Sequence, residues 1–189
     1  MAHNLELKIR CRHEQLAAAE ANAVNHGLTL TRLHQVDTYF TVPRGRLKLR
    51  QITPEWGMET AELISYARPN TTGPRWSAYR RVALPIAEAA EICLAPTETV
   101  GRLVVVRKQR RVALHGRTRI HLDDVTDLGA FIELETVVTT LPDAQAAADL
   151  ATTAALIGVD PESSDTIAGS YADLLLGRDD RSHETRTMP

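Results

Sequence analysis

The chain has 189 residues, 43% of them apolar and 24% charged, and carries a net charge of −2 at neutral pH. That length supports one compact domain with a real core and is too short for two. The charge balance excludes a polycation wrapped along nucleic acid, so any basic surface must be locally concentrated. Two cysteines, Cys11 and Cys93, give neither a disulfide framework nor metal-ligand spacing, and no run approaches the roughly 18 apolar residues of a membrane span.

The N-terminal "MAHNLELK" lacks an apolar signal region, so a reducing cytoplasm is the expected location. In "NLELKIRCR" (4–12), strict period two puts Leu5, Leu7, Ile9 and Cys11 on one face of a strand and Glu6, Lys8, Arg10 and Arg12 on the other. The alanine-rich 13–27 has an apolar stripe of Leu16, Ala19 and Ala23 and stops at Gly27, which predicts a helix. Further strands are expected at 29–40, 46–53, 60–68, 76–83, 101–114, 117–125 and 130–138, and helices at 85–95, 142–157 and 165–176. Short connections between successive strands predict a mostly antiparallel sheet. One domain over 1–176 is expected, followed by a frayed tail over 177–189, which shows no apolar period.

Several of these strands carry one charged and one apolar face. In "RGRLKLR" (44–50), Arg46, Lys48 and Arg50 point together, away from Leu47 and Leu49. Lys108 and Arg110 share a face on 103–114; Arg119, His121 and Asp123 share one on 117–125; Glu133 and Glu135 lie together on 131–137. A half-exposed sheet would simply leave such faces wet. The mixture of signs argues instead for a closed barrel that gathers them around one interior, with helices over the apolar outside. So many charges need partners, so that interior must stay hydrated and hold a polyanion with its cations. The three lysines, Lys8, Lys48 and Lys108, among 22 basic residues all fall on charged strand faces. A compact ammonium suits one phosphate oxygen or a proton shuttle, whereas arginine suits a bidentate clamp.

Taken in order, "NLELK", "DTYFTVPRGRLKLR", "AELISYARP", "VRKQR" and "TRIHLDDVTDLGAFIELE" resemble the CYTH family, which includes class IV adenylate cyclases, thiamine triphosphatases and inorganic triphosphatases. The resemblance implies an α+β fold: a closed eight-stranded antiparallel tunnel with helices packed outside. It implies phosphate-binding roles for Lys8, Arg10, Lys48, Arg50, Arg68, Lys108, Arg110 and Arg119, with Lys8, Lys48 and Lys108 also catalytic. Glu6, Asp123, Glu133 and Glu135 match the carboxylates that hold Mg2+ or Mn2+. The family's Glu-x-Glu-x-Lys signature reads Asn4-Leu5-Glu6-Leu7-Lys8 here. Asn4 offers an amide oxygen but no charge, which weakens a site for a hard cation.

The expected activity is metal-dependent chemistry on the phosphoanhydride of an organic triphosphate or diphosphate, most like class IV adenylate cyclase. The alternatives are a triphosphate hydrolase and a non-catalytic phosphate or nucleotide binder. The expected partner is a small phosphate compound rather than a nucleic-acid polymer or a membrane, and the chain is expected as a monomer or homodimer. Aromatics at 4% give no stacking platform, and no glycine-rich phosphate loop is present. His121 is either a tunnel residue or a structural hydrogen-bonder; Asp37 and Tyr39 are candidates to border a base or a leaving group, with packing of the tunnel mouth the equal alternative for Tyr39.

Overall fold

A computed structural model describes residues 2–67, 71–139 and 144–184. Eight strands form its centre: β1 (Ala2–Arg10), β2 (Thr31–Phe40), β3 (Arg46–Pro54), β4 (Thr60–Ala67), β5 (Arg75–Leu84), β6 (Arg102–His115), β7 (Thr118–Val125) and β8 (Gly129–Val138). They close into one barrel in the order β1-β5-β4-β3-β2-β6-β7-β8, every pair antiparallel. The expected eight-stranded tunnel is therefore the fold.

Alternation along each strand sends one set of side chains inward and the other outward. Leu5, Leu7 and Ile9 of β1, Ile120 and Leu122 of β7, and Ile132 and Leu134 of β8 form the main apolar core, outside the barrel. Helix α1 (His13–Asn25) covers it with Leu16, Ala19 and Ala23, the predicted stripe, and α3 (Ala146–Leu156) adds Leu150 and Ala154. Gly27, at φ 77, lets Gly27 N donate to Val24 O and Leu28 N to Ala23 O, which ends α1 at its expected place.

Two helices depart from expectation. After a 3-10 turn at Ile86–Glu88, α2 (Ala89–Val100) runs through Pro96 instead of ending at 95. Thr97 and Thr99 hydroxyls donate to the carbonyls of Cys93 and Ala95, each at 2.7 Å, supporting the turns around the proline. The last helix, α4 (Tyr171–Glu184), begins six residues later than 165. Residues 165–167 lie along the end of β1, with Arg10 N donating to Asp165 O and Ile167 N to Lys8 O. A reciprocal cap then starts α4: Ser170 N donates to Asp173 Oδ2 at 2.7 Å, and Asp173 N donates to Ser170 Oγ at 3.2 Å. The helix passes Gly177, so the segment expected as a tail begins as helix and stays so to Glu184.

The start of α4 matters for the interior. Tyr171 and Ala172 join Tyr39, Val106, Val125, Leu128 and Phe131 in a second apolar cluster, which fills one end of the barrel. The Phe131 and Tyr171 rings meet edge to face at 4.9 Å between centroids.

Candidate active site

The interior is a cavity of about 760 Å3, counting its open end. Among the described residues, seven cationic side chains line it (Lys8, Lys48, Arg50, Arg81, Lys108, Arg110 and Arg119) against four carboxylates, Glu6, Asp37, Glu133 and Glu135. The alternation of "RLKLR" thus ends inside a tunnel rather than on a wet face.

Each cation has a defined counter-ion. Asp37 lies directly across β2 and β3 from Arg50, which grips both its oxygens at 2.8 and 3.0 Å. Lys48 Nζ reaches the same carboxylate at 2.8 Å, and Gln35 Nε2 donates to both oxygens at 3.1 Å. Burial pushes the Asp37 carboxyl up, but Arg50 and Lys48 overcome it and hold it well below the usual carboxylate range. Burial, then Arg50, pushes Lys48 down to about 8, although Asp37 opposes them. In the empty tunnel Asp37 is the internal anion of the opening stretch.

On the opposite wall Lys8 pairs with Glu133 at 3.3 Å, and Arg110 donates to Glu133 at 2.9 Å. Lys8 and Lys108 ammoniums also sit over the Tyr171 ring, at 3.9 and 4.8 Å from its centroid. Burial, then Arg110, pushes Lys108 down to about 7 against the pull of Asp123. Arg119 donates to Glu135 at 2.9 Å. His121 stands between these carboxylates, Nδ1 at 3.6 Å from Glu133 and Nε2 at 4.0 Å from Glu135, and burial followed by Arg110 pushes its pKa down. The imidazole lines the cavity and lies against the β8 carboxylates at the same time, so both of its expected roles stay open.

Two expected site residues stand elsewhere, Asp123 and Arg10. Asp123 is fully buried and outside the cavity lining: Arg110 grips it at 2.6 and 2.5 Å, Tyr171 donates to it at 2.7 Å, and Lys108 lies at 3.5 Å. It anchors Arg110 and Lys108 from behind the lining. Arg10 also lies outside the lining; its guanidinium donates to Leu128 O at 2.8 Å and covers the Phe131 ring. Arg68 lies outside the described residues.

Asn4 is fully buried. Its Nδ2 donates to Glu135 Oε1, and Tyr79 OH donates to its Oδ1 at 3.5 Å. Asn4 therefore sits against the β8 carboxylate at the position where the family signature has its first glutamate.

The donors suit a hard divalent cation in kind. Glu6 and Glu135 lie directly opposite on β1 and β8 and both face inward, with Glu133 two residues along the same strand. Opposed carboxylates repel unless a cation is shared. Among the described residues, no three His, Cys, Asp or Glu side chains converge closely enough to hold a metal. Lys8, Arg110, Arg119 and Asn4 draw Glu133 and Glu135 apart.

Sequence reasoning missed Arg81, Tyr79 and Ser77, which line the cavity from β5, as well as Tyr66, Ser170 and Tyr171. The β5 trio is spaced by two within "WSAYRRVAL" and was open to the rule that found Lys48. Tyr171 reaches the tunnel from a helix 48 residues beyond its partner Asp123, and no local pattern signals that.

A closed antiparallel barrel whose buried interior is dominated by lysine and arginine is a tunnel for a polyanion. The CYTH domain model matches residues 2–166, and the chain belongs to the CYTH family. Among solved structures it is similar to a Pyrococcus horikoshii protein (21% identity, TM-score 0.71, 90% of this chain and 98% of that one). It is also similar to a putative adenylate cyclase from Vibrio parahaemolyticus (18%, 0.62, 92% and 97%). A Hippeastrum putative adenylyl cyclase described as having a dominant triphosphatase activity matches at 12%, 0.58, 95% and 96%. No curated protein matches the sequence. No helix among the described residues is long and apolar enough to cross a membrane.

Proposed function

We propose that the protein is a divalent-metal-dependent enzyme that hydrolyses a phosphoanhydride bond of a triphosphate held in the tunnel. The carrying observation is the excess of lining cations over lining carboxylates among the described residues, seven against four, with Lys8, Lys48, Lys108 and Arg110 buried. Lys8, Lys48, Arg50, Lys108, Arg110 and Arg119 bind the phosphate oxygens. Glu6, Glu133 and Glu135 would hold Mg2+ or Mn2+, which neutralises charge on the phosphate chain when bound. Phosphoryl transfer spreads charge over those oxygens, so fixed cations lower the barrier by positioning and electrostatics. Lys48 and Lys108 act as ammonium donors, because a bound phosphate chain raises the pKa of any amine beside it.

Cyclisation of ATP is the second reading, favoured by the sequence resemblance to class IV adenylate cyclases. Hydrolysis is placed first because a Hippeastrum neighbour that is also called a putative adenylyl cyclase is described as having a dominant triphosphatase activity, while the four lining tyrosines leave room for a nucleoside. Tripolyphosphate, ATP and thiamine triphosphate are incubated with Mg2+ or Mn2+, and the products are resolved by ion-exchange chromatography. Release of orthophosphate is the expected result. Cyclic AMP with diphosphate from ATP selects the cyclase, and tight binding without turnover selects a phosphate-binding module.

A further inference from the structure

A second cavity, of about 540 Å3 counting its open side, lies where β2 turns into β3 and α4 begins. That volume falls within the roughly 300–1,000 Å3 of small-molecule sites. Among the described residues Tyr39 alone lines both this cavity and the tunnel. The register of β2 against β6 shifts between Tyr39 and Phe40, so two consecutive rings that a regular strand would send to opposite faces both line the space. Gly45, at φ 66, approaches Tyr66 O so closely that a Cβ would come within 2.9 Å, which leaves this part of the wall as bare backbone.

The stretch "RGRLKLR" supplies the polar wall. Arg46 shares a strand face with Lys48 and Arg50, but those two line the tunnel whereas Arg46 lines the second cavity. Its guanidinium donates to Asp173 Oδ2 at 2.8 Å, and Ser170 N and Oγ donate to the same oxygen at 2.7 and 2.8 Å. Among the described residues no donor reaches Asp173 Oδ1. The ion pair thus sets a carboxylate oxygen beside guanidinium N–H groups, between apolar walls from Phe40, Val42 and Leu103. A charged ligand would have to break the pair and leave one partner uncompensated. A neutral group with a donor and an acceptor on neighbouring atoms satisfies both halves, and between aromatic walls it belongs on a flat ring.

We infer that this cavity is a second binding site, for a neutral planar heterocycle whose edge carries an N–H donor beside an acceptor, and that it acts on the tunnel through Tyr39. The heterocycle donates to Asp173 Oδ1, accepts from Arg46 and packs against the Tyr39 and Phe40 rings. Tyr39 carries its hydroxyl into the tunnel, where Lys48 Nζ donates to it at 3.3 Å and Tyr66 OH lies at 3.2 Å. A filled cavity holds that hydroxyl in place beside Lys48, so heterocycle and phosphate chain tighten one another.

The test titrates adenine, cytosine, uracil and nicotinamide into the full chain in EDTA, followed by calorimetry and protein-observed NMR. At least one should bind with a Kd below about 1 mM, and methylating its donor nitrogen should weaken it about tenfold, the loss of a hydrogen bond to a charged group. Leu103→Trp and Thr41→Trp, both at exposed positions of the cavity wall, should each abolish that binding, with tripolyphosphate affinity kept within about twofold and circular dichroism unchanged. Saturating heterocycle should tighten tripolyphosphate about threefold, the reverse titration should give the same factor, and Tyr39→Phe should erase that coupling while keeping heterocycle binding. Binding by none of the four, binding that survives both tryptophan variants, or equal binding of the methylated compound overturns the site. Heterocycle binding that leaves tripolyphosphate affinity unchanged overturns the link through Tyr39. Tripolyphosphate that does not bind at all removes the triphosphate reading instead, and the heterocycle titrations alone then decide the site.

Discussion

Asp37 shows how one residue sets the properties of an empty tunnel. It neutralises Lys48 and Arg50, so a phosphate must take over cations already engaged. Replacing it by asparagine leaves two buried cations short of a partner, and breaking such a pair costs about 3–5 kcal/mol. Asp37→Asn should therefore lower the melting temperature of the ligand-free protein yet bind tripolyphosphate more tightly, with the ligand restoring the lost stability; scanning calorimetry with and without ligand reads both. Lys48→Met and Arg50→Met should each weaken triphosphate binding by about ten- to a hundredfold, the loss of one charge-assisted hydrogen bond, while Arg44→Met on the exposed turn should not. Equal small effects at all three would return "RGRLKLR" to a wet strand face.

The buried lysines also make the empty protein sensitive to pH. Lys108 and Lys48 have folded values of about 7 and 8, below the 10.5 of an ordinary lysine. Between pH 7 and 9 the unfolded chain holds more protons at these positions, so stability rises with pH in that window. Above 9 Cys11, whose thiol burial, aided by Asp165, pushes up to about 11, opposes the two lysines, so the rise becomes shallower and ends once the unfolded lysines lose their protons above about 10.5. Phosphate draws protons back onto the lysines, so tripolyphosphate binding near pH 8 should take up protons and flatten the pH dependence of melting. Titrations in Tris and HEPES, whose ionisation enthalpies differ, measure that uptake; identical heats would show that the lysines are already charged.

At the scale of elements, the strands were legible because each has an apolar face outside the barrel and a charged face inside, and period two exposes both. "NLELK" and "FIELE" pair as β1 and β8, which sets Lys8 opposite Glu133 and Glu6 opposite Glu135. What period two cannot supply is which strands meet. Asp37 becomes a counter-ion only once β2 lies beside β3, and Asp123 is withdrawn from the tunnel only once α4 brings Tyr171 to it. Helix ends were read less well because Pro96 and Gly177 are local stop signals that side-chain bonding and tertiary packing override. The β8 pair makes its own prediction. Glu133→Gln with Glu135→Gln should abolish metal-dependent turnover and lower the melting temperature without ligand, because Lys8, Arg110 and Arg119 lose their partners. Circular dichroism should show the barrel retained, and full activity would remove both glutamates from the metal site.

At the scale of the whole molecule, a chain of net charge −2 encloses a lining with more cations than carboxylates, so its outer surface is on balance negative. Folding holds the lining cations close against their mutual repulsion, and an anion that enters relieves it. Binding and turnover should therefore separate. In EDTA, tripolyphosphate at about a hundred times its Kd should add about 2.7 kcal/mol of stability. At about 2–4 °C per kcal/mol for a protein of this size, that corresponds to roughly 5–11 °C in melting temperature. Turnover should be lost in the same solution, because the cations bind the chain while the divalent ion is needed to neutralise charge in the transition state. Raising the salt from low to high should reduce the thermal shift, less steeply than for a surface site, since screening reaches buried pairs poorly. A protein that tripolyphosphate stabilises only when Mg2+ or Mn2+ is present would place the affinity in the metal rather than in the lysine and arginine lining.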